Sequence, residues 1–151
     1  MKRSYPVFSD EYYMNEALKE AQKALDRDEV PIGAVIVAGN TIIGRGHNLT
    51  ETLTDVTAHA EMQAITAAAG YLGGKYLTDC TIFVTVEPCV MCAGALFWAQ
   101  VGRLVYGAAD EKRGFTLTGR SLLHPATSIT KGLLADDAIH LMKEFFRKKR
   151  D

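Results

Sequence analysis

The chain has 151 residues, 48% of them hydrophobic and 23% charged, which is typical of a folded globular protein and excludes a disordered or fibrous one. A net charge of −1 excludes a general binder of polyanions, although four consecutive cationic residues at 147–150 give the chain one basic end. No apolar run is long enough to span a membrane, the start lacks a signal-peptide pattern, and the chain has only three cysteines. We therefore expect a single domain, residues 1–151, in the cytoplasm with no membrane contact.

Hydrophobic periodicity predicts alternating helices and strands. The first helix is expected over residues 10–27, where apolar side chains recur at helical spacing. Gly39-Asn40 predicts a tight hairpin turn between antiparallel strands. The expected elements are strands 33–37 and 41–46, a helix with its N-cap at Thr57, strand 81–86, helix 89–100, strands 103–106 and 128–130, and helix 135–150, with an irregular loop at 110–127. This order predicts an α/β fold, with a mixed central sheet of about five strands flanked by helices.

Two short segments carry the side chains of a predicted metal site. His59, Cys89 and Cys92 supply the nitrogen and sulfur ligands that zinc prefers. Three protein ligands leave a fourth tetrahedral position open for water, which is typical of a catalytic zinc site. If a helix begins at Pro88, the two cysteines lie on one face of its first turn, where the helix dipole favours thiolates. The sequence therefore predicts one zinc ion per subunit.

A carboxylate accompanies these ligands. Glu61 is two residues from His59, so on a helix the two side chains point in different directions. Glu61 is therefore poorly placed as a second ligand, and it is better placed to hydrogen-bond a zinc-bound water and carry its proton. A redox pair of cysteines or a purely structural zinc site is the alternative, but neither explains a His-x-Glu pattern ahead of the cysteines. The combined pattern H-x-E…P-C-x-x-C is typical of zinc nucleobase deaminases.

The chain as a whole resembles the bacterial tRNA-specific adenosine deaminases of the cytidine deaminase-like superfamily. The likeness is carried by residues 29–35, 57–61, 85–95, 105–108, 134–136 and 145–147. It implies a three-layer cytidine deaminase-like fold, a homodimer, and conversion of adenosine to inosine at the wobble position of tRNA, with Glu61 protonating the ring. Asn48 matches the purine-contacting asparagine of the family. Ala60 and Pro88 are expected to border the substrate.

The last residues of the chain indicate the substrate more specifically than the metal motif does. Phe145, Phe146, Arg147 and Arg150 resemble the tail that these enzymes lay against the anticodon stem-loop of tRNA. The helix dipole alone favours cationic residues in a last turn, but it does not explain an aromatic pair beside them. Residues 111–120 depart from the pattern of the family, which weakens the transfer of any RNA contact to that loop.

Two other functions remain open on the sequence. The first is deamination of a free nucleobase or nucleoside such as guanine, with the same zinc and Glu61; Trp98 and the departing loop favour it. Trp98 itself is more typical of core or dimer packing than of a platform for a stacked base. The second is a non-catalytic, zinc-stabilised RNA-binding module. Glu61 argues against that module, because a structural site needs no carboxylate beside an open metal position.

Overall fold

The computed structural model describes residues 4–150; residues 1–3, at the start where no signal peptide is predicted, and residue 151 lie outside that range. The elements are α1 (Asp10–Asp26), β1 (Gly33–Ala38), β2 (Thr41–His47), α2 (Ala60–Leu72), β3 (Cys80–Val86), α3 (Val90–Ala99), β4 (Arg103–Ala108), a 3-10 turn (Phe115–Thr118), β5 (Ser128–Lys131) and α4 (Ala135–Arg150). Each predicted helix and strand is present within about two residues of its expected bounds.

The strands form a mixed five-stranded sheet in the order β2-β1-β3-β4-β5. Strand β1 is antiparallel to β2 and to β3, whereas β3, β4 and β5 are parallel to one another. The hairpin between β1 and β2 turns at Gly39, whose φ of +61° lies in the left-handed region that glycine adopts without strain. The mixed sheet expected from the sequence is therefore confirmed, with two antiparallel pairings rather than one.

Helices cover both faces of this sheet. Ala34 and Ile36 of β1 pack in one core with α2 and α3, whereas Val35 and Val37 pack in another with α1. This alternation follows because successive side chains of a strand point to opposite faces. Helix α4 packs beside α1 against β3 and β4, which completes the three layers expected of the fold. Among residues 4–150, no helix combines the length and the hydropathy needed to cross a membrane.

One glycine sets how closely a helix approaches the sheet. A Cβ atom at Gly46 of β2 would collide with the carbonyl oxygen of Ala60, the first residue of α2. Only a glycine allows the helix to lie directly on the strand at this point. The beginning of α2 is thereby held against the end of β2.

Two predicted helix starts differ from the structure by two residues each. Thr57 is not the N-cap of α2, because its hydroxyl donates to Asp55 Oδ1 at 2.7 Å instead. His59 takes that position with an extended backbone, φ −74° and ψ 159°. In α3 the N-cap is Cys89, so the helix begins two residues after Pro88 rather than at it. Both corrections place a predicted metal ligand at the N-cap of a helix.

Candidate active site

The three predicted metal ligands meet at one point. His59 Nδ1 lies 3.6 Å from Cys89 Sγ and 3.5 Å from Cys92 Sγ, and all three ligand atoms lie within 4.8 Å of one another. In a tetrahedral zinc site with bonds of about 2.1 Å to nitrogen and 2.3 Å to sulfur, the nitrogen and sulfur atoms are about 3.6 Å apart. The group can therefore hold a metal ion, and its spacing fits zinc.

The helix starts explain why these side chains converge. His59 caps α2, Cys89 caps α3, and Cys92 lies in the first turn of α3. Unpaired N–H groups and the helix dipole make both termini electropositive, which favours thiolate ligands. A hydrogen bond with Cys92 and a weaker effect of His59 outweigh burial and lower the pKa of the Cys89 thiol to about 4. The site is thus electrostatically suited to a cation bound by sulfur.

Glu61 lies beside this group without belonging to it. It occupies the first turn of α2 and its side chain is 3% exposed. Burial raises the pKa of the Glu61 carboxyl to about 7. A carboxyl group that exchanges its proton near neutral pH is suited to general acid–base chemistry.

Asn48 is held beside the start of α2 by the backbone around it. Its N–H donates to the Ile32 carbonyl at 3.1 Å, and the neighbouring Leu49 N–H donates to the Ala58 carbonyl at 2.9 Å. The Asn48 side chain is largely buried, and its Oδ1 accepts the Thr50 N–H at 3.2 Å. This bond fixes the orientation of the amide, whose NH₂ group can donate to a ligand and whose oxygen can accept one further hydrogen bond.

The other two expected substrate neighbours are buried. Ala60 directly follows the ligand His59, and Pro88 directly precedes the ligand Cys89. The Ala60 side chain is fully buried, so only backbone atoms of this residue can contact a substrate. The Pro88 carbonyl accepts the Phe115 N–H at 2.9 Å, which ties the metal-binding segment to the loop that follows β4.

A groove of about 1030 Å³ runs between α4 and the end of the sheet, and none of the metal ligands lines it. Three of the four predicted RNA-contacting residues lie along it: Phe146, Arg147 and Arg150. Phe145 does not line it, because its side chain is only 7% exposed and packs inward. Ile32 also lines the groove, and its carbonyl accepts the Asn48 N–H, so the wall of the groove is tied to the backbone of Asn48.

Three further cations that no sequence motif indicated also line this groove, Lys112, Arg113 and Lys143. Lys143 was detectable, since it lies four residues before Arg147 and therefore on the same side of a helix. Lys112 and Arg113 belong to the segment whose departure from the family was expected to weaken RNA contacts. The structure instead places both of them along the same groove as the tail.

Trp98 does not belong to the core of the subunit. Its side chain is 76% exposed on α3, as are about half of the Val90 side chain and a third of the Met91 side chain. Of the two interpretations made from the sequence, core packing is therefore wrong and dimer packing remains a prediction. Cys80, the third cysteine, is buried and free.

The sequence matches the MafB19-like deaminase family over residues 8–150. The tRNA-specific adenosine deaminase of Streptococcus pyogenes serotype M18 (strain MGAS8232) is 44% identical over 153 residues, covering 97% of this chain and 96% of that protein. A solved structure from studies of A-to-I editing by tRNA:A34 deaminases at the wobble position of transfer RNA has a TM-score of 0.81 at 41% identity, covering 86% of this chain and 98% of that one. A guanine deaminase from Nitrosomonas europaea has a TM-score of 0.78 at 26% identity, covering 91% of this chain and 84% of that one. The chain therefore belongs to the tRNA-specific adenosine deaminase family and is a deaminase, a hydrolase of carbon–nitrogen bonds.

Proposed function

We propose that this protein, as one domain in the cytoplasm, converts adenosine to inosine at the wobble position of tRNA. The observation that carries the proposal is the groove beside α4, which is lined by Phe146, Arg147 and Arg150 and by Ile32, the residue whose carbonyl accepts the Asn48 N–H. A free-base deaminase needs only a closed pocket, whereas a tRNA enzyme needs a cationic surface that leads to its pocket. The similarity to tRNA:A34 deaminases at 41% identity supports the same substrate.

In this proposal one zinc ion is held by His59 Nδ1 and the thiolates of Cys89 and Cys92. The nearly tetrahedral spacing of these atoms supports zinc over cations that prefer oxygen ligands. When bound, zinc lowers the pKa of water so that a hydroxide nucleophile is available near neutral pH.

Glu61 moves the protons of the reaction. The attacking water gives a proton to the Glu61 carboxylate as its oxygen bonds to C6 of adenine, and Glu61 passes that proton to the ring. A second proton follows the same route to the amino group, which leaves as ammonia, and inosine remains. The burial of Glu61 beside the metal group, without membership in it, supports this role.

Asn48, Ala60 and Pro88 orient the base. Asn48 donates through its side-chain NH₂ group to an acceptor of the purine or ribose, with the amide oriented by the Thr50 N–H on its oxygen. Ala60 contributes its backbone at the start of α2, and Pro88 closes the side that leads to α3. The anchoring of Asn48 to Ile32 and the burial of Ala60 and Pro88 support a rigid pocket.

The groove beside α4 binds the anticodon stem-loop. Arg147 and Arg150 neutralise phosphates, and Phe146, 47% exposed, stacks on an unpaired base. Phe145, which the sequence also suggested as a contact, supports Phe146 from below through an edge-to-face contact of 5.2 Å between ring centroids.

The active protein is a homodimer that pairs through the exposed apolar side chains of α3. Trp98 is 76% exposed, an unusual position for a tryptophan in a monomer. We expect sedimentation velocity to give a dimer for the wild-type protein and a monomer for Trp98→Glu. A monomeric wild-type protein would remove the dimer from the proposal.

The test is inosine formation in an unmodified anticodon stem-loop that carries adenosine at the wobble position. Guanine, adenosine and cytidine are assayed in parallel, and Glu61→Ala is the control for each. Inosine in the stem-loop, absent with the variant, supports the proposal. Turnover of guanine with the stem-loop unchanged would favour the alternative of a free-base deaminase, which the similarity to the Nitrosomonas europaea guanine deaminase keeps open.

A further inference from the structure

Two buried glutamates outside the catalytic group make the same set of hydrogen bonds. Glu29 is 1% exposed and Glu87 is 4% exposed. Glu29 Oε1 accepts the Glu51 N–H at 3.1 Å, while its Oε2 accepts the N–H and the hydroxyl of Thr52 at 2.6 and 2.7 Å. One buried carboxylate thus holds a loop by two backbone amides and one hydroxyl.

Glu87 repeats this arrangement with another loop. Its Oε1 accepts the Asp110 N–H at 3.2 Å, and its Oε2 accepts the N–H and the hydroxyl of Thr116 at 3.0 and 2.7 Å. None of the ion pairs found within residues 4–150 involves Glu29 or Glu87. Burying a carboxylate is costly, so hydrogen bonds from the loop itself must compensate for lost water.

The two glutamates hold loops of different kinds. The Asn48 loop, residues 48–58, carries Asn48 and joins β2 to the metal-binding start of α2. The groove loop, residues 109–116, supplies Ala109 to Arg113 to the wall of the groove. Each glutamate therefore holds a different loop, one that carries Asn48 and one that lines the groove.

Packing around Glu87 leaves little freedom for the groove loop. A Cβ atom at Gly114 would collide with the Glu87 carboxylate, and Gly114 forms a β-bridge with Cys89. The Phe115 N–H also donates to the Pro88 carbonyl at 2.9 Å. The groove loop and the metal-binding segment are thereby joined at several points.

The strand order places the two glutamates at the same end of the sheet. Strands β1 and β3 are antiparallel neighbours, with Ala34 opposite Val84. Glu29 precedes β1 and Glu87 follows β3, so both lie at the same end of the sheet. This end also bears the start of α3 and the groove.

We propose that Glu29 and Glu87 are positioning residues that divide substrate recognition between them. Glu29 orients the Asn48 loop against the base, and Glu87 orients the groove loop against the nucleic-acid backbone. This inference rests on the proposed function. It names one residue that supports the contacts with the base and one that supports the contacts with the nucleic-acid backbone.

The experiment compares Glu29→Gln with Glu87→Gln in kcat and KM for the stem-loop. A glutamine keeps the size of the side chain but presents an NH₂ group to loop donors, so each loop should loosen. We expect Glu87→Gln to raise KM about tenfold with kcat changed less than about twofold, and Glu29→Gln to lower kcat about tenfold with a smaller effect on KM. Equal changes in kcat and KM for both variants would overturn the proposal.

Variants on the loop side sharpen the test. Thr52→Val and Thr116→Val remove only the hydroxyl donor, so each should shift the same parameter as its glutamate partner but less. Combined with that partner, each should add little, because both changes remove one interaction. Gly74→Ala is the control for handling and folding, since a Cβ atom at Gly74 meets nothing within 4 Å. A full additive loss in the double variants would contradict the shared interaction.

Two measurements without turnover separate this proposal from the proposed function. Hydrogen exchange should accelerate at 48–58 in Glu29→Gln and at 109–116 in Glu87→Gln, with zinc content unchanged in both. If the wild-type protein does not act on the stem-loop, the proposed function fails while these loop-specific changes still support the positioning roles. Exchange spread over the whole chain, or zinc lost from Glu87→Gln, would assign the glutamates to folding or to the metal site instead.

Discussion

The catalytic group and the groove beside α4 are built in opposite ways. His59, Cys89 and Cys92 project from the starts of two helices, and buried Glu61 lies beside them. The groove combines exposed side chains of one helix with a loop distant in sequence. Two short motifs mark the residues of the catalytic group, although the motifs meet across 30 positions, whereas no motif marks the loop residues of the groove. Chemistry and recognition should accordingly fail independently when each region is altered.

Loss of a metal ligand should have the largest effect. Cys92→Ala leaves two protein ligands, so zinc content and deamination should both fall to background, with a lower melting temperature. Cys80→Ala is the matched control, because Cys80 is also buried and free but lies outside the group. Atomic absorption and a thermal melt measure both variants. Full zinc content in Cys92→Ala would exclude the proposed ligand set.

Removal of the proton carrier should leave binding intact. Glu61→Gln is expected to lower kcat by roughly 10²- to 10⁴-fold while zinc content and stem-loop affinity stay near wild type. Single-turnover kinetics and a fluorescence binding assay measure the two effects separately. A variant with normal kcat would assign proton transfer to another group.

Changes in the groove should show the reverse pattern. Arg147→Ala combined with Arg150→Ala should weaken stem-loop binding about tenfold or more and reduce its salt dependence by about two charges, with kcat at saturation unchanged. Lys148→Ala is the control, since Lys148 has the same charge on the same helix but does not line the groove. An equal loss of stem-loop affinity in Lys148→Ala would mean that binding depends on the total charge of α4 and not on the groove.

The two adjacent phenylalanines should separate stability from binding. Phe145→Ala removes a buried ring and should lower the free energy of unfolding by about 3 kcal/mol. Phe146→Ala removes an exposed ring and should change it by less than about 0.5 kcal/mol while weakening the stem-loop complex. Urea unfolding and binding titrations test the pair. Reversed effects would mean that Phe145 and not Phe146 is the RNA contact.

The smallest effect expected is a pH dependence at the Asn48 loop. Burial alone would raise the pKa of Glu29, but hydrogen bonds from Thr52 and Glu51 outweigh it and hold the pKa below its ordinary value of 4.5. Ionised Glu29 therefore stabilises the fold above that pH, and the contribution is lost as the pH falls through the lower pKa of the folded state. The stability difference between wild type and Glu29→Gln should shrink below pH 4.5 in urea titrations. A constant difference would mean that ionisation of Glu29 does not matter.

Much of the fold could be predicted because its signals are local. Helix α4 begins and ends as expected, at residues 135 and 150, because its apolar spacing and terminal charges mark it clearly. The starts of α2 and α3 were misplaced because Thr57 and Pro88 are common at helix starts, whereas His59 and Cys89 take the N-cap positions where their side chains meet.

The rest could not be predicted because it depends on contacts between distant residues. The hydrogen bond between Glu87 and Thr116 joins residues 29 positions apart, and that between Glu29 and Thr52 joins residues 23 positions apart. No local sequence pattern predicts either bond. Residues 110–127 are expected to be irregular because of Gly114, Gly119 and Pro125, although this segment buries Phe115 and lines the groove with Lys112 and Arg113. The two phenylalanines at 145 and 146 are alike in sequence, and only packing assigns one to the interior.

The glycine at position 46 limits how this family member can change over evolutionary time. At Gly46 the main chain at the start of α2, directly after His59, lies against β2 with no side chain between them. A change in the volume of a core side chain can be absorbed when neighbouring side chains repack. A single added methyl group at Gly46 has no such compensation, since backbone atoms cannot repack around it. The position of the ligand His59 thus depends on a residue that carries no chemistry of its own, and Gly44, where a Cβ atom would collide with the Ala64 carbonyl oxygen, shares this constraint on α2.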